Sequence, residues 1–188
     1  MSKKLFVLSC IAAAFIAGGC AKESPVAPEF NAGSSVDLSL SKRRVSLVAA
    51  TYNFTQGQIV DQGQQWVDAR GVLHIRKQIY ENSPITGGFA GVDEHNVFNA
   101  DIELATGNGK SWGHTRSNVT WVERHISGIW LGEYHNQIIA GQMIGTSSWV
   151  GRDGFAGLVA KGKQETVGAT LVLNVNFSIF KKEKDDAD

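Results

Sequence analysis

The sequence predicts an all-β protein: an eight-stranded antiparallel up-and-down β-barrel over residues 45–180, behind a cleaved N-terminal signal peptide and a flexible tether. Three observations point there. Apolar and polar residues alternate in several runs, and glycine-centred turn signals separate those runs. Beyond residue 45, no window of about twelve residues repeats with the 3.6-residue period of an amphipathic helix.

The first segment is an address rather than part of the fold. Lys3 and Lys4 precede an apolar stretch, Leu5 to Ala17, and small residues then lead to Cys20. That order is the plan of a secretory signal, and the apolar run is too short for a permanent membrane span. Ala17-Gly18-Gly19-Cys20 resembles the bacterial lipobox, in which the cysteine is acylated on sulfur and becomes the first residue after cleavage. The usual Leu three positions before the cysteine is Ala17 here. The resemblance implies a signal peptide over 1–19, a lipid on Cys20, and the membrane as a partner through that lipid. Ala21 after the cysteine, rather than Asp, resembles an outer-membrane sorting signal. Residues 20–44 contain Pro, Ser and Gly with little apolar pattern, as a tether does, and 181–188 (KKEKDDAD) read as a solvated charged tail. Cys10 leaves with the signal and Cys20 is acylated, so no thiol remains for a disulfide or for catalysis.

The strands follow from period-two patterning. In ATLVLNVNFSIF, the set Ala169, Leu171, Leu173, Val175, Phe177 and Ile179 is apolar and the alternate set is mostly polar. Leu73, Ile75 and Ile79 oppose His74, Arg76 and Gln78. Phe98, Ala100, Ile102 and Leu104 oppose Asn99, Asp101 and Glu103. Turn signals at Ala69-Arg70-Gly71, Ser83-Pro84, Thr106-Gly107-Asn108-Gly109, Ile126-Ser127-Gly128, Ala140-Gly141 and Arg152-Asp153-Gly154 divide the chain. The strands then fall near 45–56, 63–69, 71–82, 86–104, 110–124, 127–139, 141–150 and 155–180, the last with a break near 163–167. A meander of this size has two open edges unless it closes, and closure into a barrel removes them. Glycines within the strands suit the coiling that closure requires. Charged outer faces at 72–80 and 97–104 argue against a transmembrane barrel.

The strings GVLHIR (71–76), LATGNGKSWG (104–113), GIWLGEY (128–134) and GRDGFAGLVAKG (151–162) resemble the allene oxide cyclase and dirigent-like barrel group, over roughly residues 60–180. The resemblance implies an eight-stranded antiparallel barrel with a small apolar cavity. Its motifs are glycines and aromatics, so it implies a fold rather than particular site residues.

Composition narrows the function. Lys plus Arg and Asp plus Glu are 18 each, so no basic excess exists to neutralise phosphates, and no nucleic-acid partner is expected. The five histidines show no metal-ligand spacing, and no nucleophile elbow, Walker loop or dinucleotide fingerprint is present. No metal, cofactor or catalytic set is therefore expected. Asp93-Glu94-His95 follows a Gly-rich stretch and reads as a solvated turn. The five tryptophans are the more telling residues, because indoles fill cores and also line ligand pockets. Trp130 and Tyr134 share a face with Gly132 between them, which leaves a gap. Trp112 and Arg116, with His114, share a face of the preceding strand and are expected beside that gap, Arg116 as the anchor for an anionic head. The expected function is an envelope barrel, anchored by lipid to the outer membrane, that binds a small apolar ligand through Trp112, Arg116, Trp130 and Tyr134. The alternatives are a structural or partner-binding barrel with a filled core, and a cyclase- or isomerase-like enzyme, which would need an ionisable group inside the cavity.

Overall fold

A computed structural model describes residues 44–168 and 170–182. The signal peptide (1–19), Cys20 and the tether up to residue 43 lie outside the described residues, as do residues 183–188 of the charged tail. In chain order the strands are β1 (Arg44–Asn53), β2 (Gln58–Asp61), β3 (Gln64–Val67), β4 (Val72–Glu81), β5 (Ser83–Gly87) and β6 (Phe89–Glu103). They continue with β7 (Gly109–Trp121), β8 (Ile126–Ile139), β9 (Gln142–Asp153), β10 (Leu158–Thr166) and β11 (Val172–Lys181); a 3-10 turn, Val122–Arg124, joins β7 to β8.

Eight strands close a barrel-like antiparallel ring in the order β1-β5-β6-β7-β8-β9-β10-β11 and back to β1. The fold class is the expected one, but the ring's membership differs. The strands expected at 63–69 and 71–82 form as β3 and β4, yet they lie outside the ring. There β4 pairs with the second half of β6 and carries β2 and β3 on its other edge. Two elements replace them in the ring. One is β5, set off from β4 by Asn82 in the left-handed region (φ 56°). The other comes from the division of the long C-terminal run, where β10 ends at Thr166 and β11 starts at Val172, later than the expected break near 163–167. The β1–β5 seam spans only the pairs from Ala50↔Gly87 to Tyr52↔Ile85. Beyond Tyr52 the wall parts, which defines an open end.

Alternation decides what fills the ring. On β8, Gly128, Trp130, Gly132, Tyr134, Asn136 and Ile138 are buried, and Glu133, His135 and Gln137 between them face out. On β11, Leu173, Val175, Phe177 and Ile179 are buried as the pattern predicts, whereas Leu171 sits before the strand and is exposed. Where an extra residue enters a strand, the alternation changes phase. On β4 the register shifts between Ile75 and Gln78 around Lys77 (φ 55°), so Gln78 turns inward and Ile79 is only half-buried. The expected opposition of Ile79 to Gln78 is thus reversed past the bulge.

The closed end is packed with aromatic rings. Phe89 lies within 5.4–6.1 Å, centroid to centroid, of Trp121, Trp130, Phe155 and Phe177. Phe155 comes from the β9–β10 turn, is wholly buried, and stacks on Trp130 at 5.0 Å. A Cβ on Gly128 would lie 2.8 Å from the Phe155 ring, so this position needs glycine to admit the plug. The Gly-Phe-Ala-Gly-Leu string is therefore a turn that folds back and caps the barrel.

Candidate functional site

At the open end the ring interior is not filled. A cavity of about 60 Å³ lies between the lower halves of the strands. Aromatic walls come from Tyr52 on β1, Phe54 just past it, Tyr80 on β4, Phe98 on β6, Tyr134 on β8 and Trp149 on β9. Aliphatic lining comes from Met143 on β9 and from Leu171, Leu173 and Val175 at β11. Phe54, Tyr80, Phe98 and Met143 are half-buried and Leu171 is exposed, and Phe54, Met143 and Leu171, outside or at the ends of their strands, mark the mouth.

The floor is polar, and its position follows from a second bulge. On β6 the pairing with β7 shifts between Asp93 and His95, which inserts one residue. Glu94 is carried outward, and the phase change turns both Asp93 and Asn96 into the barrel, although they are three apart. Asp93 is 1% exposed. Its Oδ1 accepts hydrogen bonds from the Thr115 hydroxyl and, at 3.0 Å, from the Ser117 hydroxyl; its Oδ2 accepts from Asn96 Nδ2 at 3.1 Å. Asn96 Oδ1 in turn accepts from the Tyr134 hydroxyl at 2.9 Å. On the facing wall Gln164 Nε2 donates to Asn136 Oδ1 at 2.6 Å, and Asn136 Nδ2 donates to Ser111 Oγ at 3.0 Å. Each buried polar group here has a partner, as an interior of low dielectric requires.

Electrostatics at the floor follow from burial. Desolvation pushes the Asp93 carboxyl up to about 6, against the pull of its three hydrogen bonds and of the nearby His95. Burial, and then the Asp93 charge, raise the Tyr52 and Tyr134 hydroxyls far above the ordinary phenol value. Burial alone takes Tyr80 up to about 12, with its hydroxyl donating to Gln78 Oε1 at 3.0 Å. The three phenols stay neutral at any physiological pH, and Asp93 is the one acid in the lining. Among the described residues no Lys, Arg or His lines the cavity.

Of the four ligand-binding residues expected from the sequence, the structure places Tyr134 on the cavity. Trp130 faces inward on the same strand, but it lies in the closed end between Phe89 and Phe155. The gap beside Gly132 is occupied by the Trp149 ring, which a Cβ at that position would meet at 2.3 Å. Trp112 and Arg116 do not line the cavity. In the β7–β8 register Arg116 is opposite Leu131 and Trp112 opposite His135, whereas inward Thr115 and Ser117 are opposite Gly132 and Trp130. Directly paired residues share a face, so Trp112, His114 and Arg116 all lie outside. There Arg116 Nε bonds Glu94 Oε2 at 2.8 Å, and Trp112 carries the Arg76 guanidinium over its ring at 4.9 Å.

Sequence reasoning passed over Asp93, Asn96, Asn136 and Gln164. The reading of Asp93-Glu94-His95 as a solvated turn is corrected by the structure: these residues form a bulge in mid-strand, with Asp93 buried. A usable signal existed for Asn136 and Gln164. Each stands on the inward phase of its strand, Asn136 after Trp130, Gly132 and Tyr134, and Gln164 after Ala160 and Gly162. A polar residue on an apolar phase marks an interior polar group. No protein-family model matches the chain, and no curated protein or solved structure matches it either.

Proposed function

We propose that this protein is a small-molecule receptor of the cell envelope, holding its ligand in the open half of the barrel. The observation that carries the reading is the division of the interior. One half is packed ring against ring around Phe89, while the other keeps a cavity with aromatic walls and an ordered polar floor. A core under selection for stability alone would have filled that space with apolar side chains at lower cost. The resemblance of the 71–76, 104–113, 128–134 and 151–162 strings to cavity-bearing barrels agrees with it. The lipobox-like sequence ending at Cys20 supplies the anchor in this reading, with Ala21 favouring the outer membrane.

Two measurements test these parts. Trp149 lies on the cavity wall, so its fluorescence reports occupancy. The purified full chain is expected to show a saturable change with a small neutral aromatic alcohol, 2-phenylethanol. Leu173→Phe, which fills the space from β11, is expected to remove that change while near-UV circular dichroism is retained. A linear, non-saturable response in the wild type would leave the barrel as a structural or partner-binding element. For the anchor, an alkynyl palmitate fed to expressing cells should label the wild type and not Cys20→Ser; equal labelling of both would refute the lipid attachment.

A second reading has a specific observation behind it. Asp93 is an ionisable group deep in the cavity with its carboxyl moved towards neutrality, the property that proton transfer in a cyclase or isomerase requires. Conversion of a bound molecule, abolished in Asp93→Asn with binding retained, would favour this reading over a receptor.

A further inference from the structure

The charge inventory of the cavity points to the class of its ligand. Among the described residues the lining holds one carboxyl, Asp93, and no basic side chain. Every hydrogen bond to that carboxyl comes from an uncharged donor, Thr115, Ser117 or Asn96. Among the described residues no Lys, Arg or His nitrogen lies within 4.0 Å of it, although ion pairs are made on the outer surface by Glu94, Asp101 and Asp68. A buried carboxylate without a cation is costly, and the usual remedies are a paired base or an apolar replacement. Neither is present here.

Two further features complement a positive charge. Oδ2 takes only the one donor, from Asn96, and a carboxylate oxygen has room for a second. The rings of Tyr52, Tyr80, Tyr134 and Trp149 line the same cavity, and aromatic π-faces and phenol oxygens both attract cations. An anionic head would meet Asp93 with no compensating cation among the described residues, the reverse of the expectation built on Arg116, which the register places outside.

We propose that the cavity takes a primary ammonium group carried on a small apolar body, with Asp93 as its counter-ion and the tyrosine and tryptophan rings as its walls. This rests on the reading of the barrel as a small-molecule receptor. The cavity, at about 60 Å³, receives the ammonium and its first carbons, and the body of the ligand extends past Phe54, Met143 and Leu171 at the mouth.

The test compares three molecules of one shape on the purified full chain at pH 7.5: 2-phenylethylamine, 2-phenylethanol and 3-phenylpropanoate. The amine is expected to bind at least about tenfold more tightly than the alcohol, as a charge-assisted hydrogen bond in a dry site should allow, and the carboxylate should bind more weakly than either. In Asp93→Asn the amine should lose its advantage over the alcohol, the ratio of the two affinities within the one variant being the quantity read. Equal affinity for amine and alcohol, or an amine preference that survives in D93N, overturns the proposal while leaving the receptor reading intact. No saturable binding of any of the three overturns both. Should D93N fail to fold, nuclear Overhauser contacts in the wild type decide the matter. The methylene protons beside the ammonium are expected to contact the Tyr134 or Trp149 ring, and the phenyl protons Phe54, Met143 or Leu171; binding without the methylene contacts counts against the proposal.

Discussion

Phe89→Ala is expected to destabilise the protein by about 3–5 kcal/mol, the range for removing a fully buried aromatic ring from a core that cannot collapse around the gap. Phe89 is 1% exposed and touches four other rings, each contributed by a different segment: Trp121 at the end of β7, Trp130 on β8, Phe155 from the β9–β10 turn and Phe177 on β11. These contacts are edge-to-face, with interplanar angles of 65–79°, and such pairs add to the area they bury. The backbone cannot move in to fill the hole, because β7 holds β6 at this point, with Phe89 opposite Trp121, and the preceding Gly88 is hydrogen-bonded to Ala49 of β1. Domains of this kind are stable by roughly 5–15 kcal/mol in total, so the variant would be close to its unfolding threshold. Phe89→Leu keeps most of the volume and should cost much less. Urea unfolding of the three proteins, followed by tryptophan fluorescence, measures the difference. A loss below about 1 kcal/mol for Phe89→Ala would mean that the closed end is not organised around this ring.

The same contacts show how far the sequence could be read. The β8 and β11 phases were legible because each keeps strict alternation: Trp130 and Tyr134 face in together, as do Leu173, Val175, Phe177 and Ile179. Period two reports which residues share a face of one strand. It does not report which residue lies opposite on the next strand, and a one-residue difference in register moves a whole set across the wall. That is why Trp112 and Arg116 were expected beside Trp130 but lie outside. Bulges were illegible for a related reason: nothing in Gln78 or Asp93 announces that an inserted neighbour, Lys77 or Glu94, has reset the phase. The polar floor depends on such a reset, so its central residue looked like part of a loop. Ring membership was hidden as well. Residues 63–82 carry good strand patterning, but whether a strand joins the ring or lies against its outer edge is settled by pairing partners distant in sequence.

Lowering the pH from 7.5 towards about 4 is expected to stabilise the protein before it destabilises it. Asp93 binds its proton with a value of about 6 in the folded chain, against an ordinary 3.8. Between these values the folded state holds more protons than the unfolded state, so stability falls as pH rises through this window and is flat above it. The rise corresponds to about 3 kcal/mol of penalty that is fully present above pH 6 and absent below the unfolded value. The outer surface has the opposite sign. Asp68, held down first by the Val72 amide and then by Arg70, and Glu94, held down by Asn118 and Arg116, lie below the ordinary carboxylate range. Their contribution is present above that range and is lost as pH falls through it. The two trends place maximum stability near pH 4–5. Asp93→Asn is expected to flatten the limb between about 4 and 6 and leave the acid limb unchanged. The slope is the diagnostic quantity, not the absolute stability. An amide at 93 can keep its oxygen towards Asn96 Nδ2, but its NH₂ then faces the Thr115 and Ser117 hydroxyls, which must turn from donating to accepting. Urea unfolding at half-unit steps from pH 3.5 to 7.5 resolves the limb, and an unaltered slope in D93N would show that the buried carboxyl is not its source.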